Sequence, residues 1–247
     1  MDPRDMESEE VSQLEGLFHK MRDVVWMVKV ESELTIENEP PAIQTIIATG
    51  FSVHKNGLIL TSDYLLFGGS TISVRGFNDN QFIPAKKVGG APKDSGLALL
   101  KIDRKFGHIA QLAEGDVGLT LRINIYGMAH QVDFSFSFLF GTLLSTSKDK
   151  SEVNINHRKL AQHIDGLDKN LQFLEIKGFQ CQSKRKWTIQ SLGGPVFNVT
   201  GDVVGVVIAT SSGFDYAVPV ERVRNFVDGV LRAQLRSATC LGNERGV

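Results

Sequence analysis

Apolar positions along the chain change their period twice. Val11, Leu14, Leu17, Phe18 and Met21 recur three or four residues apart with charged residues between them, which predicts a short N-terminal helix with one buried face. From Val24 the apolar segments shorten and become rich in β-branched and aromatic residues: VVWMVKV, TIIATGFSV, GLILTS, STISVRGF, LALLKI, LRINIYG, FSFSFLFG, FLEIKGF, DVVGVVIA and FDYAVPV. Each is about one strand long and most are separated by Gly, Asn or Asp, as in His54-Lys55-Asn56-Gly57. Strands about ten residues apart with little helix between them predict an all-β sandwich or pair of barrels. Phe134, Phe136, Phe138 and Phe140 alternate with Ser135 and Ser137 and are expected to turn their rings into a core. The polar stretch from Ser145 to Asn170 reads as a long loop with at most one helical turn. Val220, Val223, Phe226, Val227, Val230 and Leu231 return to helical spacing and predict a C-terminal helix docked on the body. The division that follows is an N-terminal extension and helix over 1–23, a first barrel over 24–110, a second barrel with the closing helix over 111–235, and a flexible tail over 236–247.

Composition narrows the function classes. Over 247 residues, 27 Lys+Arg nearly balance 28 Asp+Glu, which excludes a generally basic nucleic-acid binder and an acidic disordered chain. Hydrophobic residues at 42% allow a large core, and 24 glycines suit a fold of tight turns. Cys181 and Cys240 are too few for a disulfide framework or a thiolate metal site, so no metal or cofactor is expected. The opening MDPRDMESEE is acidic where transit peptides are poor in acids, and no apolar run approaches the ~20 residues of a membrane span. A cytoplasmic or nuclear protein without membrane attachment is the resulting expectation. Asn198-Val199-Thr200 fits a glycosylation sequon but reads better as a turn before Gly201.

Three ordered segments bear on chemistry. They are Ala48-Thr49-Gly50-Phe51-Ser52-Val53 leading to Thr61-Ser62-Asp63-Tyr64, then Asp94-Ser95-Gly96-Leu97-Ala98-Leu99-Leu100-Lys101, then Ser191-Leu192-Gly193-Gly194-Pro195. With Gly201-Asp202-Val203-Val204-Gly205 and Tyr216-Ala217-Val218-Pro219, they resemble the trypsin-like protease domain of the HtrA/Deg (Do-like) family. The resemblance implies two six-stranded trypsin-like β-barrels. It also implies that Tyr64 stands at the position of the catalytic histidine, Gly96 at that of the aspartate and Leu192 at that of the nucleophilic serine. The anion-facing loop would be Gln190, Ser191, Gly193 and Gly194, with Gln190 where the family has glycine. The peptide-binding PDZ domain common in the family has no counterpart in this chain.

Acyl transfer needs a nucleophilic heteroatom, a base that titrates near neutrality and a group that orients the base. Leu192 offers no heteroatom, a phenol at Tyr64 titrates near 10, and Gly96 has no side chain. No catalytic or metal-binding residue is therefore assigned. The leading expectation is an inactive homologue that binds protein or unfolded peptide or serves a regulatory role, with homo-oligomerisation left open. One alternative is a weak serine endopeptidase in which Ser191 replaces the lost nucleophile, although a shift of one residue turns the hydroxyl elsewhere and none of the six histidines is an evident base. Another is nucleic-acid association through Lys184-Arg185-Lys186-Trp187, disfavoured by the near-neutral charge. If Tyr64 and Leu192 faced an open cleft they would line it with apolar surface suited to an extended peptide. The other reading is that they fill vacated space.

Overall fold

The computed structural model describes residues 3–34, 42–66, 71–88, 95–115, 121–130, 136–153, 155, 158–179, 191–211 and 213–243. Helix α1 (Pro3–Val24) leads into a first closed barrel of β1 (Val25–Leu34), β2 (Ala42–His54), β3 (Leu58–Ser62), β4 (Thr71–Gly76), β5 (Ile83–Lys87) and β6 (Leu97–Lys101). Around this barrel the order is β1-β2-β3-β6-β5-β4. The second closed barrel holds β7 (Asn124–Ala129), β8 (Ser137–Asp149), β9 (Gln172–Lys177), β10 (Pro195–Phe197), β11 (Val203–Ser211) and β12 (Phe214–Pro219), in the order β10-β11-β12-β9-β8-β7. Helices α2 (Arg158–Asp165) and α3 (Val220–Asn243) complete it. The two six-stranded barrels and both terminal helices are the architecture expected from the sequence.

Ten of the twelve strands coincide with the apolar segments read from the sequence. The other two lack the signal: β5 carries Pro84, Lys86 and Lys87, and β10 is three residues long. Closure removes edge strands, and antiparallel register runs continuously from Val25↔Phe51 to Leu34↔Ala42 across β1 and β2. Helix α1 starts earlier than its apolar stripe, at Pro3, a residue that suits a first helical turn. Helix α3 continues through Asn243, into the residues read as a tail.

Three apolar clusters hold the fold. Val28, Val30, Ile59, Val74 and Leu100 fill the first barrel, while Ile125, Leu139, Leu143, Leu174, Ile176 and Val204 fill the second. Between the barrels, Phe51, Leu97, Leu99, Phe197, Val206 and Ile208 join Leu17 and Met21 of α1 and Val223, Phe226 and Val230 of α3. β3 and most of β11 are therefore buried on both faces, as strands sandwiched between a barrel interior and the junction must be.

The alternating phenylalanines divide: Phe136 is buried in the junction core and Phe138 packs against it, Phe134 lies outside the described residues, and Phe140 departs from the expectation. The inward positions of β8 are Leu139, Gly141 and Leu143, whereas Phe138 lies outside the barrel against Phe18 and Tyr126, and Phe140 is 53% exposed. The inner surface is already taken by the Phe179 ring. A Cβ on Gly127 or Gly141 would sit 2.8 or 2.7 Å from that ring, so the sheet turns its glycines inward and its phenylalanines outward.

Candidate functional site

The three positions that carry the resemblance meet at the barrel junction. Tyr64 lies in a 3-10 turn (Asp63–Leu65) directly after β3, and the Asp63 amide donates to the Gly96 carbonyl at 3.0 Å, fixing that turn beside the start of β6. The loop before β10 is fixed from the other barrel, since the Thr49 amide on β2 donates to the Leu192 carbonyl at 3.1 Å. Gly193 has φ +78, and a Cβ there would come within 2.8 Å of the Ser62 amide nitrogen, so only glycine lets the loop press this closely onto the first barrel. Its amide donates to Val207 O at 2.7 Å and that of Gly194 to Ser191 O at 2.9 Å, so both donors are used within the protein. Gln190 lies outside the described residues.

Leu192 is fully buried, in the same cluster as Ala48, Leu65, Val196 and Val207, with half-buried Tyr64 packed against it. It lines no open cleft. Of the two readings of the apolar substitutions, the geometry supports space filling.

A feature the sequence reading did not resolve explains the closure. The stretch from Ser145 to Asn170 is not mainly loop: β8 runs on to Asp149, a 3-10 turn follows, and α2 forms from Arg158. Leu160, Ile164 and Leu167 repeat at spacings of four and three and are all buried in the junction cluster. The Lys150 ammonium donates to the carbonyls of Asp165 and Leu167 at 2.7 and 2.9 Å, satisfying acceptors at the helix end. Leu167 reaches the Gly96 site, where an added Cβ would lie 3.3 Å from its Cδ1 and 3.0 Å from Ile208 Cδ1. The spacing of these three residues was the available signal, masked by the polar residues around them.

Polar chemistry at the junction is internal. Ser191 is buried, and its hydroxyl donates to Asp215 Oδ1 on β12 at 3.0 Å instead of bonding within its own turn. Asp215 is fully buried, which pushes its carboxyl pKa up to about 7 although Ser191 and Thr210 both favour the charged form. Asp215, an isolated acid in the strand FDYAVP, was not singled out from sequence.

Among the described histidines, His163 of α2 is the one beside the site, its ring 5.3 Å from that of Tyr64. Burial lowers its pKa while Asp63 pulls the other way, and burial raises that of Tyr64. Asp63 is paired with Lys87. His130 is fully buried with Nδ1 accepting from the Phe136 amide at 3.1 Å. Burial lowers its pKa to about 3; a backbone bond with Trp26 opposes that and Arg75 adds to it. His54 sits in the Asn56-Gly57 hairpin turn and accepts from the Asn56 amide at 3.2 Å.

Among the described residues no group of three or more His, Cys, Asp or Glu could hold a metal, and no helix is long and apolar enough to cross a membrane. Asn198 is held in its turn by Oδ1, which accepts from Thr200 N at 3.1 Å and Asp202 N at 2.9 Å. Cys181 and the basic run Lys184-Arg185-Lys186-Trp187 lie outside the described residues.

Comparison with known proteins gives consistent results. The model of the trypsin-like peptidase domain matches residues 48–206. A probable periplasmic serine endoprotease DegP-like from Hahella chejuensis is 26% identical over 179 residues, covering 70% of this chain and 33% of that protein. The mitochondrial serine protease HTRA2 of Drosophila virilis is 23% identical over 185 residues, covering 73% and 38% respectively. The solved structure of the HtrA-type protease AlgWS227A with decapeptide superposes with a TM-score of 0.69 at 16% identity, over 88% of this chain and 66% of that one. The chain thus spans about a third of the length of the curated relatives it matches.

These relatives correct the expectation of a cytoplasmic or nuclear location, because the bacterial ones from Hahella, Marinomonas and Pseudomonas are named as periplasmic. Compartment is set by a leader that sorting machinery reads, and the composition of a folded domain does not report it. The matched family model, the relatives and the two-barrel superposition agree, and the chain belongs to the trypsin-like peptidase family on its HtrA/Deg side.

Proposed function

We propose that this chain is a catalytically silent HtrA/Deg-type protease homologue with a protein- or peptide-binding or regulatory role. The observation that carries this reading is the burial of Leu192. A hydrocarbon with no exposed surface stands at the position that the family resemblance gives to the nucleophile, and His163 of α2 packs beside Tyr64, which lies against the Leu192 cluster. Peptide hydrolysis there lacks both an attacking atom and a route for substrate. Ser191, the nearest hydroxyl in the sequence, donates to the buried carboxyl of Asp215. Loss of a triad costs serine proteases on the order of a million-fold in turnover.

Retention of both barrels without that chemistry favours a role carried by surfaces. The structure solved for AlgWS227A holds a decapeptide, which supports peptide recognition as a capacity of this fold. Fluorescently labelled, unfolded casein incubated with the purified chain is expected to remain intact on gels over a day. Time-dependent fragments that disappear in Leu192→Phe would return the chain to the active endopeptidases.

A further inference from the structure

A groove of about 800 Å³ lies away from the barrel junction, between α3 and the β2–β3 hairpin, within the range of ligand sites. Its floor is rigid: the Ile102 amide donates to Gly57 O at 3.0 Å and the Phe106 amide to Lys55 O at 2.9 Å, joining the hairpin to the segment after β6. Gly57 has φ +81, and a Cβ there would clash with the Ile102 carbonyl, so hairpin and segment meet backbone to backbone.

The walls differ in character. Leu231 and Leu235, one helical turn apart on α3, give an apolar side, while Leu58 at the base is buried in the junction core. Leu235 is 69% exposed, a large hydrophobic surface left to solvent. Facing it are Lys101, Arg104 and Lys105 with His54, and Asp103 lies among them. Arg104 is already neutralised by Asp79 at 2.7 Å, and the Asn56 carbonyl holds Lys101 in place, so Lys101 and Lys105 are the cations left to face a partner.

We propose that this groove docks an acidic, leucine-bearing helix of a partner protein, with the partner's apolar stripe against Leu231 and Leu235 and its carboxylates toward Lys101 and Lys105. A cationic wall beside an aliphatic one is complementary to an amphipathic acidic helix, and a second helix alongside α3 packs by ordinary ridge and groove geometry. This inference rests on the binding half of the proposed function. It does not depend on the barrel junction being inert, so the two fail separately: cleavage of casein would leave the groove untouched, and an empty groove would leave casein intact.

The test uses fluorescence anisotropy with a labelled synthetic peptide of about five helical turns, carrying leucine every third or fourth position and glutamate on its flanks. Saturable binding is expected at low salt, weakened by added salt. It should fall at least about tenfold in Lys101→Glu/Lys105→Glu and in Leu235→Asp, and remain unchanged in Lys159→Glu on α2. Unaltered melting temperatures of the variants exclude unfolding as the cause. Equal binding of a peptide with serine for each leucine, or of single-stranded DNA of matched charge, would overturn the proposal in favour of nonspecific anion attraction. Absence of saturation, or concentration-dependent self-association abolished by Leu235→Asp without peptide binding, would overturn it as well.

Discussion

Asp215→Asn is expected to give a protein whose stability rises with pH below neutrality, where that of the native chain is nearly level. Asp215 titrates near 7 in the folded protein against about 3.9 in an unfolded chain, so between those values the folded state holds the extra proton. Stability from this group therefore falls as pH rises from about 4 to about 7 and is level above. His130 acts oppositely. Its folded pKa of about 3 lies below the unfolded value near 6.5, so the unfolded chain holds the extra proton in that window and stability rises with pH through it. At about 1.36 kcal/mol per unit, each displacement corresponds to roughly 4 to 5 kcal/mol, and across about pH 4 to 6.5 the two slopes largely cancel. The native chain should thus show nearly level stability over that interval in urea denaturation. Asp215→Asn should expose a rise of several kcal/mol from about pH 3 to 6.5, and His130→Phe a fall from about pH 4 to 7. Parallel curves for all three proteins would show that neither buried group titrates as its surroundings require.

Placing an acid at Gly96 is the second large effect. Gly96→Asp places a side chain on a residue with φ +73, its Cβ 3.0 Å from Ile208 Cδ1 and 3.3 Å from Leu167 Cδ1, and its carboxylate in an apolar junction. Left-handed backbone costs about 1–2 kcal/mol and overpacking about 1–3 kcal/mol, before any charge is desolvated. A loss of at least about 3 kcal/mol is expected, partly recovered by adding Leu167→Ala, which empties the contested volume. A repair that installs Tyr64→His, Gly96→Asp and Leu192→Ser together should therefore yield a poorly folded protein unless α2 is also cut back. A well-folded Gly96→Asp protein with native stability would mean that Leu167 and α2 do not occupy this region.

Much of the fold was legible because strand signals are local. Ten apolar segments with turn residues between most of them announced the barrels, and a stripe from Val220 to Leu231 announced α3. What escaped depended on partners distant in sequence. Leu160 and Ile164 lie on a short helix and Leu167 just beyond it; all three are buried at the junction, where Leu167 fills space beside Gly96 and Ile208. The outward turn of Phe138 and Phe140 follows from Phe179 occupying the glycines of β7 and β8, which no alternation within one strand can report. Asp215 meets Ser191 across 24 positions because β12 runs beside the loop that precedes β10, a juxtaposition made by closing the second barrel. Tyr64, Gly96 and Leu192 were identified by motif order, and the structure brings their segments together at the barrel junction.

Intact-mass spectrometry after exposure to a serine-directed fluorophosphonate tests the central claim most directly, because the reagent needs only an activated hydroxyl within reach. The sealed junction predicts an unchanged mass for the native chain after prolonged incubation. A single adduct on Ser191, absent from Ser191→Ala, would show that the hydroxyl bonded to Asp215 escapes its buried site and acts as a nucleophile.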